Sequence, residues 1–215
     1  IPVRPDWTDS AELLGYRNIQ GIFEPGRLLE LAKVASESPL QQFFVILDEM
    51  NLARVEQYFA EVLSLLEDRE QVTGGYRSRS PLVKSAPQPW NSVHFPPNLA
   101  IIGTVNMDET THGFSRKVLD RAFTLEISEV DLTLWQKQPM PSREAVMSWP
   151  IENWRPKALR PAELEAPGQE EMKIINDTIV RLTEVNRCLS LAQLQVGYRV
   201  RDEMIMFLIH ALQDS

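Results

Sequence analysis

The stretch FFVILDEMN, from Phe43 to Asn51, decides the expected fold. Its first five residues are all apolar and do not alternate with polar residues, as those of a half-exposed strand would. The run therefore predicts a parallel strand that is covered on both faces. Asp48 and Glu49 follow directly, which puts two carboxylates at the edge where open α/β sheets bind their ligands. The pattern predicts a site for phosphate and magnesium at that edge.

An apolar strand that ends in Asp-Glu is the Walker B arrangement of nucleoside triphosphatases. In that arrangement the Asp helps to hold Mg²⁺, and the Glu orients or deprotonates the attacking water. Asp48 is therefore the candidate metal and cofactor ligand, and Glu49 is the candidate catalytic base. The alternative is a buried strand whose acidic end only caps the next helix.

A second apolar strand is predicted from Leu99 to Val105, and it ends in Asn106. We expect this strand to lie beside the first, so that Asn106 reaches the same edge. A polar side chain there can hold the water between Glu49 and a γ-phosphate, which is the role called sensor 1. The alternative for Asn106 is a simple turn former. Asp108 follows and adds negative charge to the same edge.

Three cations follow in the predicted helix Phe114–Ala122, namely Arg116, Lys117 and Arg121. Such a group is commonly the solvated face of a helix. In a ring of NTPase subunits, however, a cation at this place can reach the γ-phosphate that is bound by the neighbouring subunit. An arginine finger of that kind is worth about 10³ to 10⁵ in turnover.

The composition limits the possible functions. A chain of 215 residues fits one domain, or one domain with a smaller appendage. The net charge of -8 argues against a broad basic surface for nucleic acid. The single Cys188 excludes an internal disulfide and favours a reducing cytoplasm, and no apolar run is long enough to span a membrane. Because the first residue is Ile1 rather than Met, we expect the chain to begin inside a longer protein.

Periodicity and turn residues predict the elements around the two strands. Apolar residues recur at helical spacing in four further segments, which predicts helices over residues 27–36, 53–70, 170–186 and 201–212. Turn signals predict a small hairpin or loop around Gly21 and a hairpin at Gly74-Gly75. Two short strands are expected, one near Leu82 and one over Phe123–Ile127.

The carboxyl-terminal part of the chain divides into an insertion and a helical unit. Residues 131–168 are rich in proline and tryptophan, which indicates an insertion or linker that packs through its aromatic side chains. Residues 169–215 form the predicted helical unit. Arg199 and Arg201 open its last helix, where a lid arginine that contacts bound phosphate, called sensor 2, is expected. The alternative is that these arginines pair with carboxylates such as those of Asp202 and Glu203.

Together these segments resemble the AAA+ NTPases of the McrB-like group, which are related to MoxR and dynein-type modules. The resemblance implies an α/β fold with a P-loop parallel-sheet core, here incomplete at its N-terminus and followed by a small helical lid. It also implies a homo-oligomeric ring, usually a hexamer, that hydrolyses GTP or ATP with Mg²⁺. The implied partners are a McrC-like nuclease subunit and, through that complex, DNA, without a membrane. Four segments in the family's order carry the resemblance: RPDWTDSAELLGY (4–16), VILDEMNLARVEQYFAEVLSLLE (45–67), IIGTVNMDET (101–110) and FSRKVLDRAF (114–123).

By this resemblance, Asp48 and Glu49 are the Walker B pair and Asn106 is sensor 1. Asp108 falls in the acidic stretch that follows the sensor asparagine. Arg121, in LDRAF, falls on the arginine-finger helix, and Arg116 and Lys117 are the lesser candidates for the same role. The core of the family module covers residues 1–130.

One feature of the family is missing, because no GxxxxGK[ST] phosphate loop occurs in the sequence. Without that loop no backbone nest and no lysine hold the β- and γ-phosphates. Either the loop precedes Ile1 in a longer protein, which we expect, or the module is degenerate and builds rings only. This chain alone is therefore expected to be inactive.

A function of another class remains as an alternative. The chain would then be a non-catalytic scaffold or adaptor that binds a nuclease or a DNA-reading partner. The Tyr76–Pro97 loop, with Arg77, Arg79 and Lys84, or the tryptophan-containing insertion would be the contact surface. For the three cations themselves, a solvated loop is the favoured interpretation.

Overall fold

The computed structural model describes residues 1–107, 111–126, 150–154, 161 and 168–213. The chain forms two compact units, Ile1–Arg155 and Pro156–Ser215. The first unit is mixed α/β with a small parallel sheet, as the sequence predicts at this level. In its described part, the helices and strands are α1 (Ala11–Leu14), β1 (Gly15–Arg17), β2 (Phe23–Pro25), α2 (Arg27–Glu37), β3 (Phe43–Leu47), α3 (Val55–Tyr58), α4 (Ala60–Glu67), β4 (Arg69–Val72), β5 (Gly75–Ser78), β6 (Leu99–Gly103) and α5 (Arg116–Leu119).

The parallel sheet pairs β3 with β6, as predicted for the two apolar strands. The register runs from Phe43 opposite Leu99 to Leu47 opposite Gly103, so the two strands end together. On the other side of β3, Pro2 forms a parallel bridge with Asp48. The backbone N–H of Val3 donates to the Asp48 carbonyl at 3.0 Å. Asp48 is therefore held between two chain segments.

The sequence predicts that β3 is covered on both faces. This prediction is wrong for the described structure, because only one face of the strand is covered. Val45 and Leu47 are buried, whereas Phe44 and Ile46 are 42% and 50% exposed. The helices α2, α3 and α4 contribute their apolar residues to the same core as Val45 and Leu47. An unbroken apolar run has no alternation, so it cannot indicate which face the helices cover.

Both predicted hairpins are present. β1 and β2 pair antiparallel, with Gly15 opposite Pro25. β4 and β5 also pair antiparallel, and their turn contains Gly74 at φ 90°, a conformation that favours glycine. The predicted strand near Leu82 is absent: after β5 the only regular element before β6 in the described chain is a short 3-10 turn, Trp90–Ser92.

The helix predicted over residues 53–70 is broken and shorter than expected. It divides at Phe59 into α3 and α4 and ends at Glu67, and the residues that follow belong to strand β4. Asp68 is drawn into the hairpin instead, because its carbonyl accepts from the Arg79 N–H at 2.8 Å and its carboxylate pairs with the Arg79 guanidinium at 3.0 Å. Cross-strand bonds therefore replace the last helical turn.

The segment after β6 also differs from its prediction. Only Arg116–Leu119 of the expected Phe114–Ala122 helix is helical. Residues 123–126 have no regular structure, so the strand predicted over Phe123–Ile127 is wrong for these four positions, and Ile127 lies outside the described residues. Most of the 131–168 insertion also lies outside them, and its described part includes a 3-10 turn, Ile151–Trp154.

The second unit contains the two predicted helices, α6 (Gln169–Ser190) and α7 (Tyr198–Gln213). The Glu171 carboxylate accepts the backbone N–H of Gly168 at 2.8 Å, which satisfies a donor at the start of α6. Asn186 binds both the N–H and the carbonyl of Val196, at 2.7 and 3.2 Å, and so fixes the connection between the helices. No helix in the described chain is both long enough and apolar enough to cross a bilayer.

The Asn98 side chain connects the end of α2 to the segment that leads into β3 through hydrogen bonds. Its buried amide nitrogen lies 2.9, 3.0 and 2.7 Å from the carbonyls of Ala35, Ser38 and Gln41. Asn98→Leu removes the amide donor from all three carbonyls, of which those of Ala35 and Ser38 keep a backbone N–H, so we expect a loss of about 2 kcal/mol in the free energy of unfolding. Urea denaturation of the two proteins measures this difference.

The shape-matched control is Asn98→Asp, which keeps the volume but replaces the amide donor with an acceptor. It should destabilise at least as much as Asn98→Leu, because a carboxylate repels the same carbonyls. An unchanged urea midpoint for Asn98→Leu would show that the three contacts contribute little.

Candidate functional site

The ends of β3 and β6 form one exposed edge, which we call the acidic rim and define as Asp48, Glu49 and residues 104–106. The two strands are parallel and in register, so their carboxyl ends meet at the same place. Asp48, Glu49 and Asn106 are all exposed to solvent. The predicted Walker B pair thus directly follows β3, whereas Asn106 stands three residues beyond the last residue of β6, because the strand predicted to Val105 ends at Gly103.

Thr104 connects the two strand ends through four hydrogen bonds. Its hydroxyl donates to the Asp48 carboxylate at 2.7 Å and accepts the Glu49 N–H at 2.9 Å. Its backbone N–H donates to the Leu47 carbonyl at 2.9 Å, and its carbonyl accepts the Met50 N–H at 2.8 Å. The turn after β3 is therefore held by a residue that directly follows β6.

Glu49 has the left-handed backbone conformation, with φ 52° and ψ 52°. For a residue other than glycine this costs about 1 to 2 kcal/mol. Such a conformation persists only where the surrounding structure fixes it, and it is concentrated at functional sites. Here the Glu49 N–H is bound by Thr104, and its carbonyl accepts the Leu52 N–H at 2.9 Å.

Met50 anchors the same turn to the core. The Tyr58 hydroxyl donates to the Met50 carbonyl at 2.9 Å, and burial raises the pKa of Tyr58, so the hydroxyl stays protonated as a donor. Gly103 makes room for the methionine, because a Cβ at that position would lie 2.6 Å from the Met50 sulfur. The base of the acidic rim is therefore tightly packed.

Asn51 supports the sensor side of the rim. Its side chain is fully buried, and its amide nitrogen donates to the Asn106 carbonyl at 2.9 Å. The Asn51 carbonyl accepts the His112 N–H at 2.9 Å, and the Thr111 hydroxyl donates to the Asn106 carbonyl at 3.0 Å. Among the described residues, the Asn51 side-chain oxygen has no hydrogen-bond partner. Asp108, the remaining candidate at this edge, lies outside the described residues.

The three candidate finger cations occupy different environments. Arg121 forms an ion pair with Glu67 at 2.6 Å, and its side chain is only 17% exposed. Arg116 and Lys117 are exposed. Arg121 therefore joins the end of α5 to the end of α4 within the same chain, whereas the other two cations lie at the surface.

The start of α5 is bound by a second carboxylate. The Glu56 side chain accepts the Ser115 N–H at 2.8 Å, as an N-terminal cap does. Partial burial acts to raise the pKa of Glu56, but hydrogen bonding from Ser115 and the charge of Arg54 outweigh it, so the pKa lies below its ordinary value of 4.5. The ionised form of Glu56 thus stabilises the attachment of α5 to α3.

This attachment predicts a pH dependence of stability. Because the folded-state pKa of Glu56 is depressed, its contribution is present above the ordinary value of 4.5 and is lost as the pH falls through the lower folded-state pKa. Thermal unfolding of the parent and of Glu56→Gln should differ most at neutral pH. The difference should shrink as the pH is lowered below 4.5, and a difference that stays constant into acid would contradict the linkage.

The two lid candidates lie in the second unit, on α7. Arg201 pairs with Asp202, with 2.5 Å between the terminal nitrogen and the carboxylate oxygen. The Arg201 guanidinium also lies 4.9 Å from the centre of the Tyr198 ring. The pairing with Asp202, considered as an alternative from the sequence, is thus present for Arg201. Arg199 is exposed on the same helix.

Two of the three cations of the predicted Tyr76–Pro97 loop form ion pairs in the described structure. Arg77 pairs with Glu70 at 2.8 Å, and Arg79 pairs with Asp68 at 3.0 Å. Both pairs are part of the β4–β5 hairpin or its extension. The favoured interpretation, a solvated loop, is therefore wrong for Arg77, which lies in strand β5 and is paired there, and a contact of either arginine to nucleic acid would have to compete with these carboxylates.

The rim has oxygen ligands of the kind that Mg²⁺ prefers. The ion keeps several waters and usually binds through one or two carboxylates together with phosphate oxygens. In the described part of the chain no three His, Cys, Asp or Glu residues cluster as a complete metal site. Asp48 supplies one exposed carboxylate, of which one oxygen is bound by Thr104. These residues fit an ion that is held mainly by water and substrate.

Two residues of the rim and its support escaped the prediction from sequence. Thr104 falls within the strand predicted over Leu99–Val105, and Asn51 ends the stretch FFVILDEMN, but the sequence predicts neither as a site residue. The available signal for Thr104 is a polar residue close to the end of a predicted strand. Its hydrogen-bond partner is not evident from the sequence, because Thr104 and Asp48 are 56 positions apart.

The sequence was also compared with known proteins. Neither a family model nor a curated protein matches it. The functional assignment therefore depends on the motifs of the sequence and on the contacts of the acidic rim.

Proposed function

We propose that this chain is part of a McrB-like AAA+ NTPase with a P-loop α/β core and a helical lid. The observation that carries the proposal is the acidic rim, where the Asp-Glu pair after β3 lies beside the end of β6 and is hydrogen-bonded to it through Thr104. The proposed reaction is hydrolysis of GTP or ATP in the presence of Mg²⁺.

Three side chains of the acidic rim have a chemical role in this proposal. Mg²⁺, when bound, neutralises charge on the β- and γ-phosphate oxygens. The Asp48 carboxylate holds the ion through water. The Glu49 carboxylate accepts a proton from the attacking water, which the Asn106 side chain positions. Because Glu49 and Asn106 are exposed, water can reach both side chains.

The absence of a phosphate loop from this sequence determines which form of the protein is expected to hydrolyse nucleotide. The sequence contains no GxxxxGK[ST], so we assign hydrolysis to the full-length protein or to an assembly that supplies such a loop. We expect none from this chain alone. In the ring, α5 and the residues after it present the candidate finger cations Arg116, Lys117 and Arg121, and α7 presents the lid candidates Arg199 and Arg201.

The resemblance extends the proposal to the setting of the protein. The ring would be a hexamer in the cytoplasm that drives a McrC-like nuclease on DNA. These statements depend on the family resemblance alone, since a shared fold does not fix the substrate of a motor.

A direct test is hydrolysis of GTP and of ATP by the full-length protein, measured with Mg²⁺ and after its removal by chelation. The proposal expects turnover of at least one nucleotide, and loss of that turnover without the metal. If neither nucleotide is hydrolysed or bound, the motor assignment is wrong.

The second candidate function is a non-catalytic scaffold or adaptor. The observation that favours it is the absence of the phosphate loop from this sequence. An adaptor would bind its nuclease or DNA-reading partner with the same affinity whether or not nucleotide is present. Dependence of partner binding on GTP or ATP would instead support the motor.

A further inference from the structure

We infer that Thr104 is a positioning residue for the proposed hydrolysis site, an inference that rests on the proposed function. Its hydroxyl holds the Walker B aspartate and the backbone of the catalytic glutamate at the same time. Neither the sequence motifs nor the resemblance assigns it a role.

The two contacts of the hydroxyl fix where its proton points. The Glu49 N–H is a donor, so the Thr104 oxygen accepts there, at 2.9 Å. The single hydroxyl proton is then available for the Asp48 carboxylate oxygen at 2.7 Å. This contact involves an ionised acceptor, so it is among the stronger kinds of hydrogen bond.

The backbone of Thr104 makes the hydroxyl a rigid support. Its N–H and carbonyl are bound to Leu47 and Met50, on either side of the acidic pair. The threonine therefore cannot shift without breaking the pairing at the strand ends. Asp48 is exposed, and an exposed aspartate would otherwise sample several rotamers.

The hydroxyl also stabilises the unfavourable backbone of Glu49. With φ 52° and ψ 52°, this residue needs external contacts to remain left-handed. The bond from its N–H to Thr104 is one such contact, and it sets the point from which the glutamate side chain leaves the backbone. Loss of the hydroxyl should therefore disturb the base and the metal ligand together.

The expected kinetic effect is on turnover more than on nucleotide affinity. Thr104 acts through Asp48 and Glu49, so its loss should reduce kcat and raise the Mg²⁺ concentration at half-maximal rate, with KM for nucleotide nearly unchanged. Residues that orient metal ligands typically change metal affinity or activity by about 10- to 100-fold when they are removed.

The experiment compares three variants of the full-length protein. Thr104→Val keeps the shape and removes the hydroxyl, Thr104→Ser keeps the hydroxyl, and Thr73→Val is the control in the exposed β4–β5 turn. We expect Thr104→Val to lose about 10- to 100-fold in kcat, and Thr104→Ser and Thr73→Val to stay close to the parent. If Thr104→Val does not fold, Thr104→Ala takes its place.

Two kinetic results would overturn the inference. One is a correctly folded Thr104→Val with the parental kcat and Mg²⁺ dependence. The other is a Thr104→Ser variant as impaired as Thr104→Val, because the methyl group rather than the hydroxyl would then be responsible. Folding of each variant is checked by circular dichroism and thermal unfolding.

Hydrogen exchange separates this inference from the proposed function. In Thr104→Val the amide of Glu49 should exchange faster than in the parent, while the amide of Val45 in β3 should be unaffected. This readout needs no nucleotide. If the protein hydrolyses no nucleotide but Glu49 exchanges faster in Thr104→Val, the NTPase assignment and the catalytic role of Thr104 are wrong, although the Thr104 hydrogen bonds exist. If the exchange of Glu49 is unchanged, the hydrogen bonds themselves are wrong.

Discussion

Glu49→Gln in the full-length protein is expected to bind nucleotide with parental affinity and to lose turnover by about 10²- to 10⁴-fold. The substitution keeps the size of the side chain but removes its capacity to accept a proton from water. The strained turn at Glu49 should survive, because its contacts are made by the backbone N–H and carbonyl. Steady-state hydrolysis and equilibrium nucleotide binding measure the two effects separately.

The matched control for this variant is Glu30→Gln. Glu30 is exposed on α2, on an element that does not contribute to the acidic rim. The control variant should hydrolyse nucleotide at the parental rate. Parental turnover in Glu49→Gln as well would show that Glu49 is not the general base.

Removing the proposed trans-acting cation on or next to α5 is expected to have the second large effect on turnover. An arginine finger contributes about 10³ to 10⁵ in turnover, so one of Arg116→Ala, Lys117→Ala and Arg121→Ala should lose activity on that scale. The family motif puts Arg121 first. Its ion pair with Glu67 would have to open before the guanidinium could reach a neighbouring subunit.

Mixed rings distinguish a finger from a structural ion pair. A finger variant keeps its own Glu49, so mixing it with Glu49→Gln subunits should restore some active interfaces. If Arg121 only joins α5 to α4, Arg121→Ala should lower the melting temperature and should not be rescued. Two results would show that no residue among Arg116, Lys117 and Arg121 is an arginine finger. Either all three alanine variants keep the parental turnover, or none of the inactive variants regains turnover in rings that are shown to contain Glu49→Gln subunits.

The local pattern of the sequence was sufficient to predict the pairing of β3 with β6. Two apolar runs of strand length, each ending in polar residues, indicated a common edge, and the structure has them in parallel register. The helices α6 and α7 were predicted for a similar reason, since their apolar residues recur at helical spacing. The pattern that predicts each of these strands and helices lies within a single short segment of the sequence.

The features that were mispredicted depend on contacts between distant segments. The helix expected over residues 53–70 ends early because Asp68 bonds with Arg79, beyond the next hairpin. The exposed face of β3 was missed because an apolar run does not reveal its packing partners. Helical periodicity could not show that the end of α4 is tied to α5 through Arg121.

The position of the candidate site was predictable to the extent that it consists of a contiguous motif. Asp48 and Glu49 stand at the end of one strand, so the sequence alone predicts them as candidates. The hydroxyl of Thr104 and the buried amide of Asn51 act across the sheet, and only the fold brings them to the acidic rim. Polar residues within a few positions of a strand end are therefore worth testing alongside the acidic pair.

The central claim is that the acidic rim binds the metal and the terminal phosphate of a nucleoside triphosphate. The most direct measurement is a crystal structure of the full-length protein with Mn²⁺ and a non-hydrolysable nucleotide, in which anomalous scattering locates the metal. We predict the metal beside Asp48, with the terminal phosphate near Glu49 and Asn106. A nucleotide and metal bound elsewhere, with the rim open to solvent, would contradict the account.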